Sequence, residues 1–408
     1  MKKDNTSEKG QLNSPNVVFC GNFVPEGMVN SHKGIAVSGN RMILGIIKAI
    51  ETHCNLSLIS VMPIASFPKE KKIFIKGGKS KLYDAVEYLK IFFINVFGLK
   101  QLTQITSLKK ALKKVVKDKE NPVIVNFNPY VTLSIPTLKY AKKHNIKTVC
   151  IVADIPVTVP KHYNFIKKAF RRLEINKYHN NIGKYDGLIV LNENVINEFA
   201  KGKPYYLMDG GVTEKEIENT KVVKPENHDN LQILYTGALE SYNGIKEMIE
   251  GFLMVEKNLK LTICGGGTLS SYVQDMANKY ENIEFKGLVP HDEVVKLQAN
   301  AGLLISTRPI DGFALKLTFP SKMIEYMLSG TPILTTKLNG LTKDYEDKLF
   351  FCGQTPNEIA VAISNFFDLS IEDRYKTATT AREFIKNKKT YTYHSKGVMN
   401  LINEVLSK

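Results

Sequence analysis

The segment Ser306-Thr-Arg-Pro-Ile-Asp-Gly-Phe-Ala-Leu-Lys-Leu-Thr-Phe-Pro-Ser-Lys-Met-Ile-Glu-Tyr-Met-Leu-Ser-Gly-Thr-Pro-Ile-Leu334 holds the residue types best suited to chemistry. An apolar strand ends near Ser306, a loop follows, and a helix-forming run opens at Pro320. Proline suits a first helical position, because the N–H it lacks would have no partner there. The free amides near Ser321 and Lys322 would then face outward, and such a helix start draws an anion through hydrogen bonds and the helix dipole. A diphosphate fits that description. Glu325 lies one turn further in, where a carboxylate can accept two hydrogen bonds from the vicinal hydroxyls of a ribose. The same glutamate can equally serve the helix dipole or stand as a plain surface charge.

Those residues need strands to carry them. The first half opens with the strand Val17–Cys20, a glycine-containing loop from Gly21 to Gly39, a helix over Asn40–His53 and a second strand, Leu56–Val61. Further strands are expected at Val123–Phe127, Thr148–Val152 and Gly187–Leu191, each a helix length from the next. The second half repeats the alternation, with strands at Leu231–Tyr235, Leu259–Cys264, Ile283–Phe285, Ala301–Ile305, Pro332–Thr335 and Leu349–Cys352. Helices are expected over Gly244–Glu256 and Leu269–Lys279. Alternating strands and helices predict parallel, doubly wound α/β sheets, which bind ligands beyond the carboxyl ends of their strands. A chain of 408 residues is long enough for two domains of roughly 150 to 200 residues. The expected division is a polar tail over 1–14, a first domain over 15–211, a polar linker over 212–230, a second domain over 231–385 and a last helix over 386–408 that returns to the first domain.

Other segments of the second half repeat a familiar order: Tyr235-Thr-Gly-Ala-Leu-Glu-Ser-Tyr-Asn-Gly-Ile245, then Ile263-Cys-Gly-Gly-Gly267, then Phe285-Lys-Gly-Leu-Val-Pro290, then Phe319-Pro-Ser-Lys-Met-Ile-Glu-Tyr-Met-Leu-Ser-Gly-Thr-Pro-Ile333. Together they resemble family 4 glycosyltransferases with the GT-B fold, in which two Rossmann-like domains face each other across a cleft. The resemblance implies a nucleotide-sugar donor held by the C-terminal domain as a substrate, with UDP- and GDP-sugars foremost, and no cofactor. It also implies an acceptor held by the N-terminal domain and transfer with retention. Glu325 matches the second glutamate of that family's paired motif, and Leu317 stands where the first would be. The segment is closest to a subgroup that writes Arg-Pro, a variable loop, Pro-Ser-Lys and Glu-Tyr. That likeness makes Arg308 and Lys322 the diphosphate partners and suggests metal-independent work on bacterial capsule or exopolysaccharide. The family's usual arginine and lysine fall at Leu239 and Asn243 here.

Glycines 237 and 244 can let backbone approach phosphate or can simply make turns, and the same two readings hold for Gly265 and Gly266. Leu288 would meet the base through its backbone, by resemblance. In the N-terminal half the resemblance is looser, with Gly39-Asn40-Arg41 on the acceptor side and Asp154 at a strand's carboxyl end. Asp154 can accept a proton from an acceptor hydroxyl, position the sugar, or cap a helix after Pro156.

Composition narrows the rest. Five cysteines stand apart without a CxxC pair, which reads as buried thiols in a reducing compartment, and neither they nor the eight histidines form a metal-like cluster. The opening MKKDNTSEKG has no apolar core of a secretory signal, and no stretch reaches the roughly 18 apolar residues that cross a bilayer, so a cytoplasmic protein is expected. Net charge is +16, concentrated in three clusters: Lys69–Lys81, Lys109–Lys117 and Lys161–Lys184. Such clusters suit an anionic membrane, nucleic acid or merely a solvated face. Between two of them lies the aromatic run Tyr88–Leu99, expected as a membrane-surface or buried helix. Acceptors consistent with this are glycans and lipid-linked oligosaccharides, possible at the inner face of a membrane, with nucleic acid set aside. No Ser-His-Asp spacing, GxxxxGK[ST] or complete GxGxxG occurs. A non-catalytic GT-B subunit that binds nucleotide or glycan is the alternative.

Overall fold

The computed structural model describes residues 14–160, 163–220 and 231–408. Most of the tail, Lys161 and the later part of the polar linker lie outside the described residues.

The C-terminal sheet has six strands in the order Ile283–Gly287, Lys260–Cys264, Gln232–Thr236, Leu303–Ser306, Ile333–Thr336, Phe350–Cys352, all parallel. The first of these in sequence, Gln232–Thr236, lies at the centre, and the chain builds outward on one side before crossing to the other. The reversal falls between Gln232–Thr236 and Leu303–Ser306, so the loops that follow these two strands diverge and leave a crevice. The strands are near-continuous apolar runs, as burial on both faces requires.

The N-terminal sheet has eight strands: Tyr205–Leu207, Gly187–Val190, Lys147–Val152, Val123–Phe127, Asn16–Gly21, Asn55–Ser60, Val86–Lys90 and Gly78–Tyr83. All pairs are parallel except the last, an antiparallel hairpin turned at Asp84, whose φ is positive. Here the aromatic run departs from expectation. Residues 86–90 are a strand, Phe93–Ile94 pairs with Phe74–Ile75, and the helix begins only at Leu99. The cause is a period of two: Ile91, Phe93 and Asn95 are buried while Phe92 between them is exposed and Ile94 half-buried.

The last helix, Tyr391–Ser407, belongs to the N-terminal core. Its Tyr391, Val398, Leu401, Ile402 and Val405 share one apolar cluster with Val17, Phe19, Ile43, Ile47 and Val125. The Tyr391 ring is wedged where a Cβ on Gly45 or on Gly211 would have to sit. The chain therefore crosses between the domains twice, and the two crossings are stitched together. Val212 N–H donates to Lys389 O at 2.9 Å and Tyr391 N–H to Val212 O at 3.0 Å. Beneath them the Asp209 carboxylate, fully buried, accepts from the Tyr345 hydroxyl at 2.7 Å and from the Lys389 ammonium.

Ile402→Ala would leave a void in the cluster shared by both ends of the chain, and a loss of about 2 to 5 kcal/mol is expected. A denaturant titration followed by a probe in the N-terminal domain checks it. An unchanged midpoint would mean that the helix is not part of that core.

Candidate functional site

The crevice of the C-terminal sheet is built by locking one helix against one strand end. The helix Lys322–Ser329 buries Met323, Ile324, Tyr326 and Met327. Its Tyr326 hydroxyl accepts from Thr236 N–H at 2.9 Å and donates to Thr236 O at 3.1 Å, while Gln298 Nε2 donates to Thr236 Oγ1 at 3.0 Å. With Tyr326 fixed at the end of Gln232–Thr236, Lys322 one turn earlier must lie over the loop that follows. The structure places its ammonium against Gly237, where a Cβ would collide with Nζ. Gly237 has a φ of +146°, and Gly265 beside it, at +144°, approaches the Gly237 carbonyl so closely that Gly265 could carry no side chain.

The helix starts later than the sequence suggests. Pro320 is not its first residue: Met323 N–H donates to Pro320 O at 2.9 Å and Ile324 N–H to Ser321 O at 3.2 Å, a tight turn that precedes a helix beginning at Lys322. The amides of Ser321 and Lys322 have no backbone partner among the described residues, as the start of a helix leaves them.

Two cations share this place. Lys322 Nζ lies 3.1 Å from the Tyr235 hydroxyl and 4.5 Å from the centre of its ring. Burial pushes its pKa down to about 8; the Glu325 charge opposes that shift and the nearby Arg308 adds to it. Arg308 has its main chain pinned by the Thr336 hydroxyl and donates from Nη2 to Thr318 Oγ1 at 3.1 Å. Its Nε is buried with no partner among the described residues, and burial lowers its pKa too. Neither cation makes an ion pair among the described residues. Two half-buried like charges, one with an unsatisfied N–H, beside the bare backbone of Gly237 suit an anion.

The two positions where the resemblance would place further cations are taken up by structure. Leu239 is buried in the C-terminal core, and Asn243 Nδ2 ties the same loop by donating to Ala238 O at 2.8 Å. Leu288 is 86% exposed and leans on Gly266.

Glu325 stands half-exposed, with an Oε1 3.7 Å from Arg41 Nη2. Arg41 comes from the N-terminal helix Val37–Ile50 and also pairs at 2.5 Å with Glu216, whose carboxylate closes the capping box of the helix Glu214–Asn219. The residue expected on the acceptor side thus reaches across to the C-terminal domain. Its neighbour Asn40 is occupied otherwise: its amide accepts from Val24 N–H at 2.9 Å and donates to Val24 O at 3.1 Å, shaping the loop after the first strand. Gly39 lies on the open face of that helix.

Asp154 is exposed at the carboxyl end of Lys147–Val152. It is not a helix cap, because the next helix starts at Phe165 and is capped by Asn164. Its peptide is held by Asn128 Oδ1, which accepts from Ala153 N–H at 2.9 Å, Asp154 N–H at 3.1 Å and the Tyr178 hydroxyl at 3.0 Å. No hydrogen bond or ion pair joins Asp154 to the donor-side cations among the described residues. Asn128, with a φ of +61°, is a residue the sequence reading missed. The signal was available in its place directly after the apolar strand Val123–Phe127.

Residues 216–389 match the profile of the family described as Glycosyl transferases group 1. No curated protein matches the chain in sequence. Among solved structures, sucrose-phosphate synthase from Thermosynechococcus elongatus aligns over 96% of this chain and 99% of its own with a TM-score of 0.67 at 13% identity. HepE of Anabaena, in complex with UDP, aligns over 95% and 100% with a TM-score of 0.63 at 13% identity. The trehalose-6-phosphate protein of E. coli bound with UDP-2-fluoro glucose aligns over 96% and 99% with 0.64 at 12%. The fold is GT-B, and the profile match supports a glycosyltransferase of that type. Among the described residues no helix is long and apolar enough to cross a membrane, and no group of three His, Cys, Asp or Glu is placed to hold a metal ion.

A diphosphate that needs Lys322 charged should bind independently of pH below about 8 and lose up to about tenfold in affinity per pH unit above it, because binding then requires proton uptake. Calorimetric titration with UDP and with GDP across that range checks this, and Lys322→Met should lower the affinity and flatten the profile. A flat profile in the unmodified protein would contradict the assignment.

Proposed function

We propose that this chain, which carries a glycosyl transferases group 1 domain over residues 216–389 in a GT-B frame, moves a sugar from a nucleotide-sugar donor onto a glycan or lipid-linked oligosaccharide. The observation that carries this reading is the half-buried couple Arg308 and Lys322, neither in an ion pair among the described residues, with the Lys322 ammonium set over Gly237. Two fixed cations neutralise a leaving nucleoside diphosphate as the bond from the sugar C1 to its phosphate oxygen breaks, and this needs no resident metal. The acceptor oxygen bonds to C1 and its proton passes to the leaving diphosphate or to Asp154, the exposed carboxylate at the N-terminal strand ends. Retention of configuration is proposed on the resemblance of the Pro320-Ser-Lys322 and Glu325-Tyr326 segment. Glu325 holds the ribose hydroxyls once Arg41 yields its contact, and Leu288 with Gly266 borders the base. UDP in the HepE structure and the UDP-sugar analogue in the E. coli structure favour a uridine nucleotide as the first to try.

The setting proposed is surface-polysaccharide assembly, such as capsule or exopolysaccharide, at the cytoplasmic face of a membrane. Support comes from the helix Phe165–Ile182, where Phe165 is 84% and Ile166 70% exposed beside Lys167, Lys168, Arg171 and Arg172. Phe97 packs edge-on against Phe170 at 5.5 Å, and the exposed Leu99 and Leu102 follow it. An apolar tip within a basic surface suits an anionic leaflet.

The non-catalytic alternative draws on Leu239, Asn243 and Leu317, which fill positions where relatives carry charge. Slow hydrolysis of a nucleotide-sugar by the purified protein would dismiss it.

Glu325→Ala should weaken donor binding and turnover at least about tenfold with an unchanged melting temperature. A thermal-shift panel of UDP, GDP, ADP, CMP and dTDP with their sugar conjugates measures binding, and no shift with any of them would sink the donor-site reading. Flotation with phosphatidylglycerol vesicles should recover the protein, whereas phosphatidylcholine vesicles and the Phe165→Ser/Ile166→Ser double variant should not. Equal recovery on both lipids would count against the membrane face.

A further inference from the structure

Leu317 stands where relatives carry a glutamate facing the donor, yet here it is only 4% exposed and belongs to an apolar cluster of the other domain. Its companions there are Val152, Ile155, Tyr178, Ile182 and Val190 from the N-terminal sheet and its covering helices. The donor-site loop is thus plugged across the cleft. The backbone on either side of the plug is clamped. Asn192, 2% exposed at the carboxyl end of Gly187–Val190, donates from Nδ2 to Lys316 O at 2.9 Å and to Thr318 O at 3.3 Å. Its Oδ1 accepts from Asn194 N–H at 2.9 Å, and Asn194 Nδ2 donates to the same Lys316 carbonyl at 3.0 Å.

The loop then passes the constraint on. Thr318, whose carbonyl Asn192 holds, presents Oγ1 to Arg308 Nη2 at 3.1 Å, the one side-chain bond that orients this guanidinium among the described residues. A second strand of contact runs in parallel: Phe313 of the loop packs edge-on against Phe199 at 6.4 Å, Phe199 against His179 at 4.9 Å, and His179 Nε2 lies 3.0 Å from Pro156 O, two residues from Asp154. Ile155, next to Asp154, shares the cluster that receives Leu317.

We propose that Asn192 is a positioning residue for the donor diphosphate, acting through Thr318 on Arg308, with Leu317 as the anchor that keeps the loop seated on the acceptor domain. The proposal rests on the reading of Arg308 as a diphosphate partner. A hydrophobic anchor at position 317 replaces a charge that would face the sugar with a fixed distance between the domains. The orientation of Arg308 then depends on the acceptor domain being in place, so the anion site is complete only when the cleft is assembled.

The test is a double-mutant cycle on the full chain, read by calorimetry with UDP and GDP, each beside its nucleoside. Asn192→Ala should weaken binding of the diphosphate about tenfold and leave the nucleoside unchanged. In an Arg308→Ala background the same change should matter by less than about twofold. Thr318→Val, which leaves the clamp in place and removes the last bond, should reproduce the loss. Equal losses for diphosphate and nucleoside, or additive losses in the cycle, would overturn the proposal. If Arg308→Ala weakens the diphosphate while Asn192→Ala and Thr318→Val do not, the relay fails and the donor site stands. If neither diphosphate binds the unmodified protein, the donor-site reading itself fails.

Discussion

The buried Asp209 carboxylate governs the geometry of the whole molecule. It lies where the chain leaves the N-terminal domain, and its partners, Tyr345 and Lys389, come from the other domain and from the returning crossing. A carboxylate withdrawn from water is costly unless its charge and its lone pairs are met, and leaving such a pair half-broken costs on the order of 3 to 5 kcal/mol. Both crossings are therefore held in one place, and with them the facing ends of the two sheets. Everything described at the cleft, from the Arg41 contact with Glu325 to the seat of Leu317, presupposes that fixed hinge.

Around the crevice of the C-terminal sheet the same physics runs in the opposite sense. Asp209 is a buried charge with its counter-ion present, whereas Arg308 and Lys322 are half-buried and make no ion pair among the described residues. Folding tolerates this because the helix Lys322–Ser329 is secured elsewhere, by Met323, Ile324, Tyr326 and Met327 in an apolar cluster. The apolar packing of that helix offsets the cost of partly desolvating the Lys322 ammonium at its start.

Much of this was legible in the sequence, and for a definite reason. The alternation of buried strands with amphipathic helices is a local signal, so the C-terminal sheet and the helix carrying Lys322 and Glu325 could be read from spacing alone. Gly237 and Gly265 could be singled out but not explained, since their reason is a lysine ammonium and a carbonyl from distant segments. The aromatic run Tyr88–Leu99 misled because hydrophobicity without attention to period two looks helical. Pro320 misled by a single tight turn. Leu317 looked like a simple loss, because its partners lie more than a hundred residues away in another domain. Asn128 and Asn192 share the position that drew attention to Asp154, directly beyond a strand, but an uncharged amide attracts no notice until its bonds are seen.

The seating of Tyr391–Ser407 in the N-terminal core bears on how the chain is made. Synthesis delivers residues 16–207 first, yet the cluster around Val17, Phe19 and Ile47 lacks its cover until residues 391–407 have left the ribosome. The C-terminal sheet, whose strands all lie between residues 232 and 352, has every strand available before then. Folding on the ribosome would accordingly run against the usual order, with the later domain complete while the earlier one waits with an apolar face open. A cell making this protein must shield that face for the time it takes to translate the intervening chain.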